Sequence, residues 1–264
     1  MLKLDNVSKL FNPGTPDEKI ALLGIDLELL SGDFVTIIGS NGAGKSTLMN
    51  IISGVMKPDL GDVRVEGSSI SHLAEYQRSR WIGRVFQDPM AGTAPHMTIE
   101  ENLAMAYKRG KNRGFAFGVS AAKRMMFREQ LNRLGIGLEN RLRAKVGLLS
   151  GGERQALSLL MATFTEPQIL LLDEHTAALD PSRAELITKL TESIVRELKL
   201  TTLMVTHNME QAIRLGNRLI MMDKGTVVLD IDETRKKDLT VERLLGEFET
   251  ISGHKLADDR MMLG

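Results

Sequence analysis

The chain has 264 residues, with 34 basic and 34 acidic side chains and no cysteine. Zero formal net charge removes any global electrostatic case for nucleic acid, and the lack of thiols excludes a disulfide framework, thiol catalysis and cysteine metal sites. The start, Met1-Leu2-Lys3-Leu4-Asp5, lacks the apolar core of a signal peptide, and no apolar run approaches the ~18–20 residues that span a bilayer. The chain is therefore expected to be soluble and to meet a membrane only through a partner.

Residues 2–11 read as a strand and 12–17, rich in Pro and Gly, as a loop. Ile25-Asp26-Leu27-Glu28-Leu29 alternates strictly, as a half-exposed strand does. Phe34-Val35-Thr36-Ile37-Ile38 is a short, apolar, β-branched run that suits a buried strand. It leads into Gly39-Ser40-Asn41-Gly42-Ala43-Gly44-Lys45-Ser46-Thr47 and then a helical stretch, 46–53, closed by Gly54. Residues 58–62 form a turn and 63–66 alternate again. The first 66 residues thus mix a small antiparallel sheet with the first strand–helix unit of an α/β core. A strand over 81–86 ends at Gln87. From 88 to 166 strand patterning gives way to helices. One starts at the capping box Thr98…Glu101, one spans 120–134 and ends at Gly135, and one begins near Gly151. This segment reads as a helical insertion. The α/β pattern resumes with a buried strand over 168–173, a helix over 183–198, a buried strand over 202–206 and a hairpin, 218–222 and 226–230, around Lys224-Gly225. After Ile231 one amphipathic stretch remains, 241–248. The expected organisation is one domain. Residues 1–87 and 167–230 make the α/β core with its β-subdomain, 88–166 the helical part, and 231–264 a short tail.

Three segments carry chemistry. Gly39 to Ser46 matches G-x-x-x-x-G-K-[ST], a loop whose glycines let backbone N–H groups crowd around phosphate oxygens at a helix N-terminus. Lys45 can reach the β- and γ-phosphates, and the Ser46 hydroxyl can ligate Mg²⁺. Ile169-Leu170-Leu171-Leu172-Asp173-Glu174 runs four apolar residues into two carboxylates, as a buried strand with functional groups at its end would. Asp173 suits a metal held through water, and Glu174 suits a base for the attacking water; an acidic turn after a core strand is the plainer alternative. Ser150-Gly151-Gly152 opens a helix and offers a second anion-binding N-terminus, with a simple Ser cap as its alternative.

With this motif order the chain resembles the ATPase subunit of an ABC transporter over about 2–230. The resemblance implies a P-loop NTPase core with a mixed, mostly parallel sheet, an N-terminal antiparallel β-subdomain and an inserted α-helical subdomain. It implies ATP and Mg²⁺ as cofactors. ATP would be bound by Gly39, Ser40, Asn41, Gly42, Ala43, Gly44, Lys45, Ser46 and Thr47, and by the signature Ser150, Gly151 and Gly152. Asp180 matches the D-loop and Phe11 the aromatic that stacks on adenine. Gln87 matches the Q-loop glutamine that contacts Mg²⁺, beside Ser46 and Asp173. His207 matches the switch histidine, completing a catalytic set with Glu174, Lys45 and Gln87. Three positions depart from the family pattern: His175 where Pro usually follows the catalytic Glu, and Ala156 and Met161 where Arg is frequent.

The resemblance further implies a head-to-tail homodimer with ATP between the phosphate loop of one copy and the signature of the other. It also implies a multi-spanning permease subunit, a separate substrate-binding protein, no nucleic acid, and a place on the cytoplasmic face of the cell membrane. The expected function is to power import of a small solute such as an amino acid. A separate-chain ATPase driving export or lipid or peptide extraction is the alternative, and a soluble non-transport ABC ATPase is a more distant one. Residues 90–97 are expected to help form a groove for a partner helix. Finally, Lys108, Arg109, Lys111, Arg113, Lys123, Arg124, Arg128 and Arg133 form a basic stretch against the single acid Glu129. It reads either as a solvated face or as a contact for an anionic surface.

Overall fold

The computed structural model describes residues 1–110 and 118–252. In chain order the strands are β1 (Leu2–Phe11), β2 (Lys19–Leu29), β3 (Phe34–Gly39), β4 (Leu60–Val65), β5 (Ser68–Ser69), β6 (Ile82–Val85), β7 (Ile169–Asp173), β8 (Thr201–Val205), β9 (Arg218–Asp223) and β10 (Thr226–Ile231). The helices are α1 (Lys45–Ser53), α2 (Glu75–Arg78), α3 (Ile99–Tyr107), α4 (Ala121–Asn132), α5 (Gly151–Thr163), α6 (Pro181–Leu198), α7 (Met209–Arg214), α8 (Glu233–Lys236) and α9 (Val241–Ser252). Two compact units emerge, one from Met1–Arg78 with the chain from Thr201 onward, the other Ser79–Leu200.

In the first unit β2, β1, β4 and β5 lie in that order in an antiparallel sheet. β2 begins six residues before its alternating part. Register shifts near Val7 and Lys9 break the two-residue rhythm there, so Ile20 and Leu23 are exposed while Ala21 and Leu22 are buried. A second sheet places β3 between β8 and β9, both parallel to it, with β10 antiparallel at the edge. Every residue of β3 is buried, which explains its continuous apolar run. Tail helix α9 turns Leu244 and Phe248, one helical turn apart, into the cluster around Ile38, Met209, Leu219 and Met221.

Arg78, at the end of α2, is completely buried and acts as a cap. Its guanidinium donates to the carbonyls of Ile51 (2.7 Å) and Ile52 (2.9 Å) at the end of α1, and of Leu73 (3.0 Å) and Ser71 (3.1 Å). Gly54 closes α1 at φ 88°. A Cβ there would lie 2.7 Å from Arg78 Nε, so glycine serves both the left-handed backbone and the approach of the arginine.

The second unit holds β6 and β7 as a parallel pair with α3–α6. The helix start read from the Thr98 capping box forms, and the helix read over 120–134 forms as α4, ending at Asn132. The Thr98 hydroxyl accepts the Glu101 N–H, and the Glu101 carboxylate accepts the Thr98 N–H. Ser120 caps α4. The core of this unit packs Ile99, Leu103, Phe127, Leu131, Leu157 and Ile187, with Phe127 and Tyr107 meeting Phe164 edge-on at 5.8 and 6.0 Å. Ala156 and Met161 lie inside it, and an arginine in either place would need a buried partner.

Candidate active site

The phosphate loop is shaped by close backbone approaches. Gly39 ends β3 at φ 150°, and a Cβ there would sit 2.1 Å from the Met222 carbonyl of β9. Gly44 precedes α1 at φ 101°, with the Ala21 carbonyl of β2 2.4 Å from any Cβ. Only glycine fits either position. From the hairpin turn, Gly225 N–H donates to Ala43 O (3.1 Å), and Gly225 O accepts Leu23 N–H (2.8 Å). Ser40 Oγ donates to the Asp223 carboxylate at 3.2 Å. Lys45 is buried, with its ammonium hydrogen-bonded to the Gly39 carbonyl and, at 3.0 Å, to that of Ser40. No side chain caps α1 and no acid lies in its first turn. Its N–H groups and partial positive charge therefore suit an anion such as a nucleotide phosphate. Ser46 is exposed at the same helix start.

Two further expected residues belong to this unit. Phe11 ends β1 half-buried, with Lys9 Nζ 5.9 Å from its ring centroid. His207 follows β8 between two tied neighbours. Thr206 donates its hydroxyl to Gln211 (2.8 Å), and Asn208 caps α7 by accepting the Gln211 N–H (2.8 Å). The α7 cap was not expected from the sequence, because a six-residue helix shows too little periodicity.

In the second unit Asp173 closes β7 and pairs with Arg84 of β6, Nη2 to Oδ2 at 2.9 Å. Glu174 follows at φ 44°, a left-handed conformation that a β-carbon disfavours and that clusters at functional positions. His175 is buried, and its Nε2 meets Thr191 Oγ1 at 3.1 Å. Burial pushes the imidazole down to about 4, so it is neutral at ordinary pH.

Asp180 caps α6 by accepting the Arg183 N–H at 3.1 Å, with Pro181 in the first turn. At α5, Ser150 takes part in a full capping box. Its hydroxyl accepts the Glu153 N–H (3.3 Å), and Glu153 accepts the Ser150 N–H (2.7 Å). Arg141 holds the other Glu153 oxygen at 2.6 Å. Burial alone would raise the Glu153 carboxyl, but the Ser150 and Arg141 bonds outweigh it and hold the group below the usual range. The unit brings the signature against the D-loop: a Cβ on Gly151 would meet Leu179 at 3.4 Å, and one on Gly152 would meet Arg183 at 3.1 Å.

Gln87 is exposed just after β6. Beyond it, Asn102 of α3 is buried and clamps the approach to the helices. Its carbonyl accepts the Ala94 N–H (2.8 Å), and its amide donates to Thr98 O (2.9 Å) and Ala94 O (3.1 Å). The basic stretch is partly neutralised by acids distant in sequence. Arg124 forks onto Glu100 (2.5 and 3.1 Å), and Arg133 pairs with Glu197. Lys111 and Arg113 lie outside the described residues.

Among the described residues no group of three or more His, Cys, Asp or Glu could hold a metal by itself. Mg²⁺ is a hard cation that takes one or two protein oxygens, with nucleotide phosphates and water completing its shell. The Asp173 carboxylate and the Ser46 hydroxyl are oxygen donors of the right kind.

A backbone that crowds N–H groups around an anion, under a lysine, is the working part of a phosphate-loop nucleotide hydrolase. The ABC transporter family model matches residues 22–177, and the chain belongs to that family, as an ATP-hydrolysing subunit. It is 48% identical to the tyrosine transport ATP-binding protein of Clostridioides difficile, over 94% of this chain and 99% of that protein. It is 32% identical to the energy-coupling factor transporter ATP-binding protein EcfA2 of Clostridium perfringens, over 92% and 84% of the two chains. Among solved structures it resembles a dimeric ATP-binding cassette in a post-hydrolysis state bound to ADP and Pi, at a TM-score of 0.76 and 30% identity, over 88% of this chain and 99% of that one. No helix among the described residues is long and apolar enough to cross a membrane.

Proposed function

We propose that this chain powers uptake of an amino acid of the tyrosine type, working as a homodimer on the cytoplasmic side of a membrane permease fed by a separate binding protein. The observation that carries the solute class is the 48% identity, spread over nearly both full lengths, to the tyrosine transport ATP-binding protein. Dimeric ATP-binding cassettes among its structural relatives support the pairing. Gly39 to Thr47 bind the nucleotide phosphates, and Lys45 exchanges its carbonyl contacts for the β- and γ-phosphates. Phe11 stacks on adenine. Ser150, with Gly151 and Gly152, donates to the γ-phosphate held by the other copy, and Asp180 lines the same junction. Mg²⁺ supplies charge neutralisation at the phosphates when bound, and Ser46, Gln87 and, through water, Asp173 would hold it. Glu174 takes the proton of the attacking water, and His207 donates to the γ-phosphate. No redox or covalent step is needed.

The test is reconstitution of the chain with its membrane permease in liposomes holding ATP, with the binding protein and labelled tyrosine outside. Inward, ATP-dependent accumulation of tyrosine supports the reading. ATP-driven loss of preloaded solute, or accumulation of unrelated solutes in preference to tyrosine, refutes it.

A further inference from the structure

We propose that Arg84 is a positioning residue for the metal. It is a built-in counter-cation on Asp173 that weakens the chain's own hold on Mg²⁺, so that the metal arrives with the nucleotide and not ahead of it. The inference rests on the reading of Asp173 as the metal-side carboxylate.

The geometry begins with the sheet register. β6 and β7 run parallel with Arg84 opposite Leu171 and Val85 opposite Leu172. Asp173 therefore stands level with Phe86, two residues beyond Arg84 and on the same face as it. The arginine must run along its own strand to arrive. It does so over the Phe86 ring, with the guanidinium carbon 4.7 Å from the ring centroid, and ends with Nη2 2.9 Å from Asp173 Oδ2. Phe86 thus aims the arginine, a use of a planar cation that lysine serves less well. The contact engages Oδ2.

Exposure decides what such a pair does. The side chains keep 11% and 16% of their surface. Water screens the pair far less than a surface ion pair, so one positive charge changes the potential at Asp173 appreciably. The Asp173 side chain nonetheless keeps some contact with solvent. A divalent cation approaching it meets a ligand already half-compensated. The phosphates of a nucleotide supply the missing negative charge, and only then does the metal bind well. Arg84 is thereby an ordering device: it penalises metal alone and spares metal with nucleotide.

The experiment uses the full chain and the fluorescent nucleotide mant-ADP. Its Kd is measured in EDTA and in saturating Mg²⁺, and the ratio of the two reports how strongly metal and nucleotide assist each other at the site. Asp173→Asn should bring the ratio toward one. Arg84→Gln should lower it on the order of tenfold, because metal alone then escapes the penalty of one positive charge at a partly buried site. Arg84→Lys keeps the charge and should stay near the wild-type ratio. If Asp173→Asn changes nothing, the reading of Asp173 fails and this inference with it. If Asp173→Asn lowers the ratio but Arg84→Gln leaves it unchanged or raises it, only the role of Arg84 is overturned. Should Arg84→Gln not fold, Phe86→Leu removes the guiding ring and keeps the charge. A fall of a few-fold then supports the inference, and an unchanged ratio overturns it.

Discussion

Replacing Arg78 with Met deletes a buried cation of similar length and leaves four carbonyls to find other partners. Those of Ile51 and Ile52 are buried; Ile51 O keeps the Gly54 N–H at 3.3 Å, while the Ile52 carbonyl costs about 1–3 kcal/mol when left bare. Those of Leu73 and Ser71 are only partly buried and can turn to water. Part of the loss is offset because the arginine itself is held at a desolvation cost, which lowers its pKa. The expected net destabilisation is about 2 kcal/mol. Arg78→Lys, with one donor centre in place of a fork, should fall between the two. Urea unfolding followed by circular dichroism measures the shift, and hydrogen exchange localises it. The Gly54 and Met56 amides, which bond to Asn50 O, should lose protection first. A Met variant within about 1 kcal/mol of the parent, or unchanged exchange at those two amides, would refute the capping argument.

Glu174→Gln should keep ATP binding and lose about 10²–10⁴-fold in hydrolysis, because shape and polarity survive and basicity does not; near-normal turnover removes Glu174 as the base. With cysteines at Ser40 and Gly151 in this cysteine-free chain, ATP should induce a cross-link between copies, and a cross-link confined to one copy rules out the shared site. Asn102→Ala leaves the Ala94 backbone without its clamp and should cost about 2 kcal/mol by thermal melting, with transport impaired more than nucleotide binding; equal loss of both argues against a coupling role for 90–97. Burial lowers the Lys236 ammonium to about 8, among the carbonyls of Leu215 and Gly216 and the Thr36 hydroxyl. Below pH 8 folded and unfolded chains are both charged there and the full burial cost applies. Between about 8 and 10.5 the unfolded chain holds more protons, so stability relative to Lys236→Met should rise with pH, by no more than about 2 kcal/mol after screening. A flat difference across that window contradicts the assignment.

Most strands and longer helices were legible because their signals are local. The apolar runs of β3 and β7 mean burial on both faces, and the Thr98–Glu101 spacing forces its own helix start. The site motifs were legible for the same reason, each being a short stretch with one backbone task. What escaped depends on partners far along the chain. Arg78 sits in the polar run Glu75-Tyr76-Gln77-Arg78, which gives no hint that it is buried against α1. The acids that meet Arg124 and Arg133 lie 24 and 64 residues away, so the basic stretch looked more lopsided than it is. Arg84 reaches Asp173 only through the β6–β7 register, and pairing order is not written in either strand.

The turn at Lys224-Gly225 has an engineering consequence. Two-residue hairpin tips with positive φ, here 46° and 80°, are ordinarily where a protein accepts an inserted tag or new chain ends. This one is a keystone, since Gly225 bonds through its N–H to the phosphate loop and through its carbonyl to β2. A reporter spliced there would disable nucleotide binding while leaving both strands intact. The turn at Glu66-Gly67, where a Cβ on the glycine meets nothing, is the better place to open the chain.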